Sequence, residues 1–250
     1  MGVDSGLPDF RGPQGFWQAY PPYRALGLDF AELADPVHFA ADPELAWGFY
    51  GHRLELYRAT VPHAGFAVLA RWAAARPTRV FTSNVDGQFQ VAGLSDVVEC
   101  HGSIHFLQCM AGCGQPVWPA DGVRVSVDAT SMRAVPPLPT CPRCRTLARP
   151  NILMFGDRHW IGDRTAEQAE AHRQWLRGLR AAGRRLAVVE IGAGTAVPTV
   201  RREAELASAA SGALVRINLR DPQVRHERGI GIAGAASGTL LDLDRRLSGG

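Results

Sequence analysis

Two pairs of cysteines, Cys109-x3-Cys113 and Cys141-x2-Cys144, constrain this chain more than any other feature of its 250 residues. Each pair spans a tight turn, with Gly112, Gly114 and Pro142 beside the thiols, so both sulfurs of a pair can converge and two pairs complete a tetrahedron. Four thiolates leave no coordination position open to water or substrate, so the expected site is a structural zinc centre and not a catalytic one. The 27 residues between the pairs hold Pro136, Pro137 and Pro139 and show no helical periodicity. Such a segment buries too little apolar surface to fold alone, and bound metal would supply the missing stability. Two other readings stand beside this one: four unrelated buried thiols, and a nucleic-acid-binding ribbon flanked by Arg143, Arg145 and Arg149. The first half of the insert has little of the basic or aromatic pattern that a ribbon needs. A fifth cysteine, Cys100, makes the count odd, and nothing resembles an export signal, which argues against a disulfide framework.

Outside the insert the chain alternates between two textures. Residues 79–84 (RVFTSN), 186–191 (LAVVEI) and 213–218 (ALVRIN) are short apolar runs of the kind that form buried parallel strands. Each follows a stretch with helical spacing. Phe66, Leu69, Ala70 and Ala73 share a face before the first; Ala169, His172, Leu176 and Leu179 do so before the second, in a helix starting near Asp163. A helix over about 200–210 precedes the third. The alternation predicts an α/β fold: a Rossmann-like parallel sheet with helices on both faces, plus a small zinc-binding part. Its ligand would lie in the crevice at the carboxyl ends of the strands.

Three strand ends carry small, amide or acidic residues. Ser83, Asn84 and Asp86 follow the first strand, Gly192, Gly194 and Thr195 the second, and Asn218 the third. Singly these are turn residues; together they suit sugar hydroxyls and the approach of a phosphate to the backbone. His101 sits beside Gly102 in a loop before the insert, and an imidazole there is suited to work as a general base near neutral pH. The net charge of +3 is small and scattered, and all 27 basic residues are arginine, so no nucleic-acid partner is expected. No run reaches the roughly 18 apolar residues of a membrane span, so no membrane association is expected and the expected compartment is the cytoplasm.

In sequence order, PDFRG (8–12), SNVDG (83–87), CHGS (100–103), the paired cysteines, MFGD (154–157), GAGT (192–195) and IN (217–218) resemble the sirtuin (Sir2) family over nearly the whole chain. The resemblance implies an NAD-dependent protein-lysine deacylase with one structural zinc on Cys109, Cys113, Cys141 and Cys144, acting on acylated-lysine proteins or peptides. It implies His101 as general base, with Asn84 beside it at the reacting ribose. Asp9, Phe10 and Arg11 would lie on the cofactor-binding loop. Ser83, Asn84 and Asp86 would contact ribose and nicotinamide, and Gly192, Gly194, Thr195 and Asn218 the adenosine half and phosphates. Met154, Phe155 and Gly156 would pair with substrate backbone as an added strand. The expected division is a Rossmann-like part at about 1–20, 62–104 and 150–250, a helical acyl-pocket module at about 21–61, and the insert at about 105–149.

Tyr50 and Arg53 fall on one face of a predicted helix, and a phenol with a guanidinium can clamp a carboxylate. With Ala34 they resemble the acyl pocket of class III sirtuins, which implies succinyl or malonyl groups in preference to acetyl. ADP-ribosyl transfer, NAD hydrolysis, and an impaired NAD- or zinc-dependent interaction module are the alternative functions. Ser83 stands where sirtuins usually carry Gln, and Ala193-Gly194 where they carry Thr-Ser, which changes the contacts expected there. In sirtuins the PDFRG loop follows a strand and a GAG-x-S turn that cradles pyrophosphate. Met1-Gly2 falls inside that turn, which leads us to expect a start codon assigned too far downstream rather than a natural truncation, and weak or absent NAD binding if the 250-residue chain is what the cell makes.

Overall fold

The computed structural model describes residues 1–9, 13–209, 212–225 and 227–249. A 3-10 turn at Gly2–Ser5 leads into helices α1 (Pro13–Ala19), α2 (Pro21–Ala25), α3 (Phe30–Leu33), α4 (Val37–Ala41), α5 (Pro43–Ala59) and α6 (Ala64–Ala75). Strand β1 (Val80–Thr82), helix α7 (Gln88–Val91) and strand β2 (Val97–Glu99) follow. The insert carries β3 (Gly102–Cys109), β4 (Trp118–Pro119), β5 (Ser126–Val127), β6 (Ala134–Val135) and β7 (Ala148–Ile152). The chain then alternates through α8 (Asp163–Ala181), β8 (Ala187–Ile191), α9 (Thr199–Ala209), β9 (Ala213–Ile217), β10 (Gly229–Ile232) and α10 (Ala236–Ser248).

Helix α5 starts where its sequence says it should. The Asp42 carboxylate accepts from the Leu45 N–H at 3.2 Å, and Pro43 takes the first helical position, where no N–H is needed. Arg133 from the insert donates to the same carboxylate at 2.9 and 2.6 Å, and this bond holds the Asp42 carboxyl below the ordinary carboxylate range. The helix is buried on most sides. Trp47, Phe49 and Tyr50 join Phe16, Tyr20, Tyr23 and Phe39 in a core that also contains Ile104, Leu107, Val125, Met132 and Ala148 of the insert. Each such side chain contributes roughly 1.5–3 kcal/mol on burial. Two glycines set the spacing: a Cβ at Gly48 would overlap the Met132 carbonyl, and one at Gly51 would stand 2.7 Å from Val125. The Trp47 indole donates to the Ala148 carbonyl at 2.9 Å and the Tyr23 hydroxyl to the Met132 carbonyl at 2.9 Å. Helices and insert share one core, which α1 joins through Phe16.

The Rossmann-like part has its own two cores. Phe66, Phe89, Leu94 and Val97 form one, and Val68, Ile217 and Leu240 the other, with α6 and α10 packed together over the second. All its strand pairs are parallel: β1 with β2, and β8, β9 and β10 in the order β10-β9-β8. Cross-strand partners Glu190 and Arg216 form a buried bidentate pair at 2.7 and 2.8 Å. Among the described residues no strand pairs with the second edge of β1 or of β8. Both were expected to be fully buried; instead Val80 and Phe81 are half-buried and Ala187 is exposed. A parallel strand buries completely only when both its faces are covered. Strand β3 leaves this layer and pairs antiparallel with β7 and β4. No helix among the described residues is long and apolar enough to cross a membrane.

Candidate active site

The loop after β1 is shaped by its own side chains. The Asn84 N–H donates to Thr82 Oγ1 at 3.0 Å, and the Gln88 N–H to Asp86 Oδ1 at 3.0 Å. Ser83 and Asn84 are half-buried, and Asp86 is buried, which pushes its carboxyl above the ordinary range. Parallel pairing sets the neighbouring loop alongside. Thr82 is opposite Glu99, and the Cys100 N–H donates to the Thr82 carbonyl at 2.9 Å, so His101 emerges next to the Asn84 loop. The His101 imidazole is largely buried, and burial pulls its pKa below the ordinary histidine value. Gly102 has φ +74° and lies so close to Asn151 that a Cβ would overlap its carbonyl oxygen, a combination only glycine satisfies.

From His101 the contacts run in a closed circuit. Its carbonyl accepts from the Leu153 N–H at 3.0 Å, and two residues on the Phe155 N–H donates to the Ala34 carbonyl at 2.9 Å. Met154 is buried, Phe155 is 48% exposed, and Gly156 turns the loop at φ +65°. Asp157 anchors that turn through a buried bidentate pair with Arg149 at 2.9 and 2.8 Å. Ala34 closes helix α3, whose Phe30 ring stands 5.6 Å from the Arg53 guanidinium. Phe49, Tyr50 and Tyr57 complete a cage around Arg53, at 5.0, 5.5 and 5.3 Å. Arg53 donates from Nε and Nη2 to the Tyr57 hydroxyl at 2.9 and 2.7 Å. Burial pushes the Tyr57 phenol upward and the Tyr50 phenol up to about 12, so both stay neutral. Gln88 Nε2 donates to the Tyr57 carbonyl at 3.4 Å, which returns the circuit to Asp86.

At the other strand ends, the Gly192 N–H donates to the Ile217 carbonyl at 2.8 Å. Asn218 Nδ2 donates to the Ala193 carbonyl at 2.9 Å, while its Oδ1 accepts from Arg220 and Asp221. Nothing stands within 4 Å of a Cβ built at Gly194, and Thr195 is exposed. Residues 1–9 link the two groups of loops. A Cβ on Gly2 would lie 3.5 Å from Asp86 Oδ2, and Asp9 pairs with Arg220 at 3.6 Å. Phe10 and Arg11 lie outside the described residues.

The four cysteines of the insert converge, with all four Sγ atoms within 4.8 Å of one another. Cys109 and Cys144 are 3.5 Å apart, Cys113 and Cys141 3.7 Å. A tetrahedral zinc with bonds near 2.3 Å separates its sulfurs by about 3.8 Å, so the donor set fits one such ion. Thr146 Oγ1 lies 3.0 Å from Cys144 Sγ. Strand β3 starts beside His101 and ends at Cys109, about 23 Å on along an extended chain. That distance keeps the metal site out of any chemistry at His101.

The Sir2 family profile matches residues 1–175. The chain belongs to the Sir2 family. NAD-dependent protein deacylase 1 of Pseudomonas aeruginosa is 31% identical over 249 residues, covering 98% of this chain and 90% of that protein. NAD-dependent protein deacylase 1 of Archaeoglobus fulgidus is 34% identical over 160 residues, and the mitochondrial sirtuin-5 deacylase of Danio rerio 33% over 174. Those matches cover 63% of this chain but only 57% and 54% of the relatives, so the chain spans little more than half of their length. A crystal structure of a Sir2 homolog in complex with NAD superposes with a TM-score of 0.74 at 25% identity, over 99% of this chain and 86% of that one.

The structure brings together Asn84, Asp86, His101, Ala34, Tyr50, Arg53 and the Met154–Gly156 loop. Sequence reasoning missed Tyr57, which accepts from Arg53 Nε and Nη2, and Gln88, which ties the Asp86 loop to α5. Tyr57 stands four residues after Arg53, so helical spacing could have found it. Nothing in the spacing of Gln88 points to α5.

Proposed function

We infer that this Sir2 protein removes acyl groups from protein lysines with NAD as co-substrate, giving nicotinamide, O-acyl-ADP-ribose and free lysine. The observation that carries the reading is the closed circuit joining His101, the Leu153–Gly156 loop, Ala34, Arg53 and Asp86. These contacts support reading a candidate base, a candidate peptide-pairing edge and a candidate ribose loop as parts of one site. The buried Asp86 carboxylate suits a ligand that brings hydroxyl or amide donors. NAD, when bound, would supply the activated ribose that accepts the acyl oxygen. His101 would take a proton from a ribose hydroxyl, and its lowered pKa keeps it neutral and able to do so at pH 7. Asn84 and Asp86 would orient that ribose and the nicotinamide amide. Asp9, Phe10 and Arg11 would cover it, and the loops at Gly192, Gly194, Thr195 and Asn218 would take the adenosine half. The exposed Phe155 and the backbone of Met154 and Gly156 would receive the substrate peptide as an added strand.

The preferred acyl groups are acidic, succinyl or malonyl. Arg53 is buried beside Phe30, Phe49, Tyr50 and Tyr57, and a guanidinium there can give an acyl carboxylate charge-assisted hydrogen bonds. Mass spectrometry of acetyl- and succinyl-lysine peptides incubated with NAD and protein tests both statements. Equal amounts of deacylated peptide and O-acyl-ADP-ribose are expected, with the succinyl peptide consumed faster. Free or protein-linked ADP-ribose without deacylation would replace the first statement with hydrolysis or ADP-ribosylation. The Arg53→Met variant should lower the succinyl-to-acetyl rate ratio by about tenfold or more; an unchanged ratio would remove the second.

A further inference from the structure

The loop carrying Asn84 and Asp86 is docked on β3 at two points. The Ile104 N–H donates to the Val85 carbonyl at 3.0 Å. Beside it the His105 ring reaches the next carbonyl, with Nε2 3.0 Å from the oxygen of Asp86. A carbonyl oxygen only accepts, so Nε2 carries the proton. The backbone that carries the ring is itself held, since the His105 N–H donates to Ser103 Oγ at 3.3 Å and its carbonyl accepts from the Ala120 N–H at 2.8 Å. Gly87 completes the fit. It has φ +71°, and a Cβ there would stand 2.7 Å from His105 Cδ2 and 2.8 Å from Nε2. The imidazole thus lies against bare backbone and fixes the peptide plane between Asp86 and Gly87. That plane leads directly into α7, whose Gln88 N–H donates to the Asp86 carboxylate.

We propose that His105 is a positioning residue for the co-substrate, holding Asn84 and Asp86 in place through the Asp86 carbonyl. This rests on the reading of those two residues as ribose contacts. The competing role is space-filling beneath Gly87, and the two differ in their need for an N–H donor. His105→Leu fills the volume without a donor, whereas His105→Gln returns one near the position of Nε2. Steady-state kinetics on variants that retain zinc and wild-type circular dichroism should show KM for NAD raised about tenfold by His105→Leu and restored to within about threefold by His105→Gln. KM for the acyl peptide should change less than twofold.

Asn84→Ala in the same assay separates the two layers of the argument. If it raises KM for NAD while folded His105→Leu does not, the His105 role is wrong and the ribose reading stands. If neither variant changes KM for NAD, both fall. Nitrogen-15 histidine correlation spectra of the wild-type protein give a test that needs no variant. The proton is expected on Nε2 of His105, and an unprotonated Nε2 would overturn the proposal.

Discussion

At the residue scale the sharpest expectation concerns His101. A general base works in its neutral form, and burial lowers its pKa below the ordinary value of about 6.5. Activity should therefore hold as pH falls through 6.5 and decline only below it, as the folded-state pKa is crossed. A kcat/KM profile against pH measures this, and an acid limb centred above 6.5 would contradict it. His101, Asn84 and Asp86 were legible in the sequence because short motifs carried them. Arg53 was legible through its spacing from Tyr50, but its partner was not. Arg53 Nε and Nη2 donate to Tyr57, one turn on, and Tyr50 contributes a ring face. His105 was invisible for a different reason. Its meaning depends on a glycine 18 positions earlier and on the fold that brings the two together.

At the scale of elements, α5 and β3 organise the site. The long helices over 163–181 and 199–209 and the apolar runs of β8 and β9 were readable from periodicity alone. The β3–β7 pair was not, because β3 mixes polar and apolar residues and shifts register between Ser103 and Leu107. Its two ends are buried on both faces, with His105 and Phe106 half-buried between them, so no simple alternation survives. Helix α5 gives a direct test of close packing. Gly48→Ala drives a methyl group into the Met132 carbonyl, and overpacking of this kind costs about 3 kcal/mol. Calorimetry should show the thermal midpoint lowered by roughly 6–12 °C. A midpoint within 2 °C of wild type would mean that the insert moves away from the helix freely.

For the whole molecule, the metal site and the acyl-side helices are mechanically one body. Val125, Met132 and Ala134 from the insert are buried in the same core as Phe49, Tyr50 and Tyr57. Stripping zinc with a chelator should therefore abolish activity although no cysteine approaches His101. Loss of turnover should follow metal release, read with a colorimetric zinc indicator. Full activity in metal-free protein would show that the insert folds without its ion. The fold class and the four ligands were legible because cysteine spacing and strand–helix alternation are local patterns. The shared core was not, since it joins residues a hundred positions apart, as Trp47 and Ala148 do. That core also makes the coupling reciprocal. Whatever ligand steadies α5 must tighten the hold of the thiolates on their ion by the same thermodynamic linkage, so a bound substrate would guard a metal it never touches.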